Sequence, residues 1–216
     1  MAKKYLQLIF LFSGSKNLRA DLELLKQNGG GKDISKHLRY GGKILGICGG
    51  YQMLGRTFHD PTGVEGTIGT SEGLRYLPIN TTLKIEKQLT HSQGKLLLQA
   101  NAHDNNIEVF VSGYQIHVRD SEREDDFKAF ALLSDARQDA TKLNDAQLND
   151  GWVSADNQVA GSYLHGMFDT PEALQQIIAW ASADVDDAET YASQQEHELD
   201  RLTDACRLAE STYIYN

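Results

Sequence analysis

The chain has 216 residues, enough for one α/β domain with its own core, and its 40% apolar and 24% charged content is ordinary for a globular protein. Its 30 acidic residues outnumber 21 basic ones for a net charge of −9, which argues against a nucleic-acid surface built on clustered Lys and Arg. Two distant cysteines, Cys48 and Cys206, with no CxxC or metal-ligand spacing, point to thiols in a reducing, cytoplasmic setting.

Tyr5 to Phe12 (YLQLIFLF) follows Lys3 and Lys4 and is apolar. A spanning helix needs about 20 apolar residues, and no small-residue cleavage site follows, so the segment reads as a buried strand with no membrane role. Gly14 to Asn17 form a loop, and residues 18–27 a helix with Leu18, Leu22 and Leu25 on one face, ended by Gly29-Gly30-Gly31. A second helix at about 33–40 leads through Gly41-Gly42 to a short apolar strand, 43–47. A glycine-rich turn around Cys48 and a helix through Leu54 follow. This alternation predicts an α/β fold, an open, mostly parallel sheet flanked by helices.

Residues 57–70, with Pro61, Gly63, Gly66 and Gly69, read as an ordered loop. Strand-like pieces follow at 81–86, 95–99, 107–118 and 128–133, and the polar stretch 134–150 reads as an exposed loop or weak helix. Trp152-Val153-Ser154 and Val159 to Leu164 flank Asp156-Asn157 as a hairpin. Thr170 and Pro171 open a helix to about Ser182, and an amphipathic tail over about 187–210 predicts one or two more. No internal repeat divides the chain, which is expected to form one domain over 1–216.

The informative segment is Gly46-Ile47-Cys48-Gly49-Gly50-Tyr51-Gln52. A strand that runs into a cysteine, then small residues, then a helix is the arrangement of a nucleophile elbow, which lifts the side chain above the sheet's carboxyl edge. The helix N-terminus beneath the sulfur favours the reactive thiolate. A buried structural cysteine is the plain alternative, and it is the reading adopted for Cys206, which lacks such a context. A thiol nucleophile needs a base. His165 follows the last strand candidate, and His117, in Gly113-Tyr114-Gln115-Ile116-His117, is its rival; spacing leaves both open. An oxyanion needs donors: the Gly49 N–H follows the nucleophile, and the Gly14 N–H lies in a neighbouring strand's exit loop. Gly14-Ser15-Lys16 is not a phosphate loop, for no GxxxxGK[ST] pattern is present.

These residues resemble a known family. Residues 46–52 are similar to the Gly-x-Cys-x-Gly-x-Gln signature of class I glutamine amidotransferases. The run GICGGYQMLGRTFHDPTGVEG (46–66) resembles cobyric acid synthases, as do GSKNLRADLELL (14–25), SGYQIHV (112–118) and YLHGMFD (163–169). The resemblance implies a flavodoxin-like amidotransferase fold and a thioester mechanism. Cys48 would attack the glutamine amide and His165 would shuttle the proton. Gln52 and the Gly14 and Gly49 amides would hold the substrate and its oxyanion, and residues 112–119, with Tyr114 and His117, would line the site. It also implies that ammonia passes to an ATP- and Mg-dependent synthetase domain or partner chain. There, peripheral carboxylates of an adenosylated cobyrinic acid diamide are amidated. No metal or cofactor is expected in this chain.

Departures from the pattern are informative. Met167 stands where most class I amidotransferases carry the glutamate of His-x-Glu; cobyric acid synthases resemble this chain in lacking it. Orientation of His165 then falls to a backbone carbonyl, a water or another residue. Gln115 stands where glutamate is expected, Ser13 in place of a proline, and Arg119 where small residues are usual. The synthetase domain, and the amidotransferase fold's first strand and helix, are expected to be absent. Two other readings remain: a stand-alone amidotransferase subunit of peptidoglycan precursor amidation, which shares the Cys-Gly-Gly-Tyr-Gln elbow, and a non-catalytic truncated module.

Overall fold

A computed structural model describes residues 9–12, 17–99, 109–123, 128–135 and 148–181. By its contacts the chain divides into two units, Met1–Ala183 and Asp184–Asn216, and every described residue belongs to the first. The expected tail helices, Cys206 and the Gly14 loop lie outside the described residues.

Strand β1 (Ile9–Phe12) leads to helix α1 (Leu18–Gln27). Asn17 caps α1, its side-chain oxygen accepting from the Ala20 N–H at 3.1 Å; of the predicted face Leu18 and Leu22 are buried and Leu25 is partly buried. Helix α2 begins at Gly30, not near 33, and runs to Arg39. Of the three glycines expected to end the first helix, Gly29 makes the break at φ 78°, and the next two start the second helix. Strand β2 (Lys43–Ile47) has three consecutive buried residues, as a strand covered on both faces should. Helix α3 (Gly49–Met53) follows Cys48 directly.

Two sheets organise the rest. The first contains β1, β2, β10 (Val159–Ser162) and β9 (Trp152–Val153), in the order β1-β2-β10-β9. The first three are parallel, and β9 returns antiparallel to β10 through the expected Asp156-Asn157 turn. The second sheet has the order β11 (Leu164–His165), β6 (Val109–Arg123), β5 (Ile79–Leu96), β3 (Thr57–Asp60) and β4 (Gly69–Glu72). On it, β7 (Ala131–Asp135) pairs with β5 and β8 (Leu148–Asp150) with β7. Helix α4 (Pro171–Trp180) closes the described fold, with Ala173, Ile177 and Trp180 buried. Among the described residues no helix is long and apolar enough to cross a membrane.

The mostly parallel sheet expected from the first third of the chain is therefore confined to the smaller sheet. In the larger one, β3 with β5 is parallel and the other pairings are antiparallel. The cause is connectivity. A parallel pairing needs a crossover of a dozen or more residues, commonly a helix, and none of the described residues between β5 and β7 is helical. Residues 57–70, read as a loop, instead contribute β3 and the start of β4, and the piece at 81–86 and the first two residues of the piece at 95–99 belong to one strand, which ends at Leu96.

Candidate active site

Cys48 sits between β2 and α3 with φ 53° and ψ −110°. A side-chain-bearing residue at positive φ is strained by about 1–3 kcal/mol and persists only where its surroundings fix it. Two hydrogen bonds do so here. The Cys48 N–H donates to Ser162 O at 2.9 Å, and the Gln52 N–H donates back to Cys48 O at 3.2 Å. Beneath them, Gly46 and Gly161 face each other in register on β2 and β10. A Cβ at Gly46 would stand 2.7 Å from the backbone N and Cα of Tyr51, and one at Gly161 would stand 2.2 Å from the Tyr51 ring. This bare glycine floor lets α3 rest directly on the sheet and sets the height of the elbow. Helix α3 has only five residues, so near the sulfur its individual N–H groups, Gly49 foremost, matter more than an extended helix dipole.

His165 reaches the same region by another route. The chain leaves the first sheet at Ser162, the end of β10, and enters the second at Leu164, the start of β11. His165 is three residues from the Ser162 carbonyl that holds the Cys48 N–H, a reach of at most about 10 Å. Its Nε2 is buried and has no hydrogen-bond partner among the described residues. Met167, at the position where His-x-Glu would place the acid, is fully buried in the larger core cluster with Ile177 and Trp180. Packing, not charge, anchors the loop after the histidine.

Gln52 ties the two routes together. Its side chain is 1% exposed; Nε2 donates to the Tyr163 hydroxyl at 3.1 Å, while Oε1 is buried without a partner among the described residues. Tyr51 and Tyr163 meet edge to face at 5.1 Å. Two buried polar atoms, Gln52 Oε1 and His165 Nε2, are thus left for a polar ligand or water to satisfy.

Tyr114 lies opposite His165 in the β6–β11 register, so the two share a face of the sheet. Its ring is exposed and rests against His91 at 4.8 Å, giving a row of His91, Tyr114 and His165 across three strands. His117 lies three residues further along β6, opposite Gln88, and its side chain is outside the described residues. The row therefore brings Tyr114 to His165.

The segment after the elbow braces the start of α1. The Glu65 carboxylate accepts from the Leu18 N–H at 2.8 Å, and Arg19 Nε donates to Ser71 Oγ at 3.0 Å. Asp60 shapes that segment by accepting from the Val64 and Glu65 N–H groups, each at 2.9 Å. Burial pushes the Asp60 carboxyl up, but the N–H groups of Glu65, Val64, Gly63 and Thr62 outweigh it and hold it below its ordinary value.

Residues 3–173 match the CobB/CobQ-like glutamine amidotransferase domain. The chain belongs to that family. It is 44% identical over 199 residues to a cobyric acid synthase of Shewanella oneidensis, covering 91% of this chain and 38% of that protein. It is 42% identical over 201 residues to a cobyric acid synthase of a Marinomonas species, again over 91% of this chain and 38% of the relative. The chain thus spans well under half the length of these relatives. A crystal structure of a glutamine amidotransferase superposes with a TM-score of 0.50 at 13% identity, over 81% of this chain and 79% of the other, a likeness of fold.

In this CobB/CobQ-like domain several residues around the elbow carry no signal in the sequence. Gly161 and Ser162 are unremarkable strand residues until β10 is paired with β2. Asp150 is 5% exposed, and it accepts from Gln115 Nε2 at 2.7 Å and from Ser162 Oγ. Only the hydrogen-bond network reveals it, because 35 residues separate it from Gln115.

Proposed function

We propose that this amidotransferase domain hydrolyses glutamine through a Cys48 thioester. The reading rests above all on one observation: Cys48 is held at a strained positive φ by a hydrogen bond to Ser162, three residues before His165. In this mechanism His165 takes the Cys48 proton and the sulfur attacks the side-chain carbonyl carbon of glutamine. The Gly49 and Gly14 N–H groups receive the developing oxyanion. His165 then gives its proton to the leaving nitrogen, and ammonia departs. Water, deprotonated by His165, hydrolyses the thioester to glutamate and restores the thiol. The net reaction is glutamine and water to glutamate and ammonia. Gln52 Oε1 accepts from a substrate N–H, which gives that buried oxygen a partner. Tyr114, on the same face of the sheet as His165, lines the approach; His117, three strand positions away, is not given a role.

The identity to cobyric acid synthases supports a destination for the ammonia. In that role a synthetase domain or partner chain, using ATP and Mg, amidates adenosylcobyrinic acid a,c-diamide to cobyric acid in the cytoplasm. This chain supplies the ammonia and binds no cofactor for its own step.

Treatment with the glutamine-like electrophile 6-diazo-5-oxo-L-norleucine, followed by peptide mapping, tests the reading. Stoichiometric labelling of Cys48, blocked by excess glutamine, is the expected result. Folded protein that remains unlabelled would overturn it and favour a non-catalytic module.

A further inference from the structure

Ser162 is fully buried at the end of β10, and its polar groups point three ways. Its carbonyl accepts from the Cys48 N–H at 2.9 Å. Its hydroxyl oxygen accepts from the Leu164 N–H at 2.9 Å, one residue before His165. Its hydroxyl proton goes to Asp150 Oδ2. The other Asp150 oxygen accepts from Gln115 Nε2 at 2.7 Å, and Gln115 Oε1 accepts from Ser92 Oγ at 2.8 Å. Ser92, Gln115, Asp150 and Ser162 are all buried.

The Leu164 N–H can only donate, so the Ser162 oxygen accepts it and the hydroxyl proton is left for Asp150 Oδ2. The Gln115 amide turns its NH₂ toward Asp150, and its oxygen accepts from Ser92. The hydroxyl thus cannot rotate away from the Leu164 N–H without abandoning a buried carboxylate. It is also the point where the chain changes sheets.

We propose that Ser162, oriented by Asp150 and Gln115, is the positioning residue that sets His165 relative to Cys48. It touches no reacting atom. It grips the nucleophile's backbone with its carbonyl and the base's strand with its hydroxyl, and so performs the orienting role that a His-x-Glu acid would otherwise fill. This inference rests on the proposed glutaminase reading.

The experiment measures steady-state glutamine hydrolysis per site titrated with 6-diazo-5-oxo-L-norleucine, for the wild type and for Ser162→Ala, Ser162→Thr and Asp150→Asn. A displaced base should lower kcat per titrated site by about 10- to 100-fold with KM within about twofold in Ser162→Ala. Ser162→Thr, which keeps the hydroxyl, should recover most of the loss. A purely structural role would lower the titratable fraction and leave kcat per titrated site unchanged. That result in Ser162→Ala, or in Asp150→Asn if the alanine variant does not fold, would overturn the inference and leave the glutaminase reading standing. A wild type that is not labelled would instead overturn the glutaminase reading, and the inference with it.

Discussion

Gly46→Ala probes how the glycine floor sets the elbow. The added Cβ would stand 2.7 Å from the Tyr51 N and Cα, about 0.7 Å inside ordinary van der Waals contact. Those are backbone atoms of α3, so no rotamer change relieves the clash, and the helix must ride up by about that distance. Overpacking of this kind costs about 1–3 kcal/mol. The same lift carries Gly49, an oxyanion donor in the proposed mechanism, and Gln52 away from the Ser162 segment. A misplacement near 1 Å can cost about 100-fold in rate. Urea denaturation should therefore show a lower midpoint with an unchanged slope. The turnover per titratable Cys48 should fall by about 10- to 100-fold. Wild-type stability together with turnover within twofold of wild type would refute the idea that α3 rests on a bare glycine at this point.

Other consequences are equally open to measurement. Cys48→Ala should abolish glutaminase activity, and retained activity would reject this thiol as the nucleophile. Cys48→Gly should be equally inactive yet more stable than Cys48→Ala by about 1 kcal/mol, because glycine accepts positive φ without strain; equal unfolding midpoints would deny that strain. Gln115→Glu would set a second carboxyl against Asp150, and the pair must keep a proton to stay buried. Its folded pKa is then raised, so stability relative to wild type should fall by about 1.4 kcal/mol per pH unit above pH ~4.3 until that proton is lost. A pH-independent difference between pH 4.5 and 7 would exclude the coupling. Asp60 is held below its ordinary 3.8. Its ionised form stabilises the fold above that pH, and the contribution disappears as pH falls through the lower folded value. The stability gap between wild type and Asp60→Asn should accordingly be full at pH 6 and close in strong acid, as followed by thermal unfolding.

The elbow was legible because its signals are local. Gly46, Cys48 and the following glycines declare a sharp strand-to-helix turn, and the positive φ at Cys48 agrees with it. The proline opening α4 is likewise short-range chemistry. The β3–β4 pairing was missed because Thr57–Asp60 and Gly69–Glu72 are largely polar and glycine-bearing, without a clear apolar alternation. β5 read as separate pieces because Glu86 to Gly94 is mostly polar, and its continuity comes from pairing with β6. The Asp150–Ser162 link could not be read at all, for nothing in sequence spacing distinguishes a buried carboxylate from a solvated one.

The two facing glycines also constrain how this site can change over generations. At Gly161 an added methyl meets a side chain, the Tyr51 ring, so a smaller residue at 51 could make room and the substitution has a second-site rescue. At Gly46 the obstacle includes main-chain atoms of residue 51, which no exchange of amino acid can trim. One strand of the pair can therefore drift together with its neighbour, whereas the other has no neutral path open to it. Variation that reshapes the elbow's floor is expected to enter through positions 51 and 161 and to leave 46 untouched.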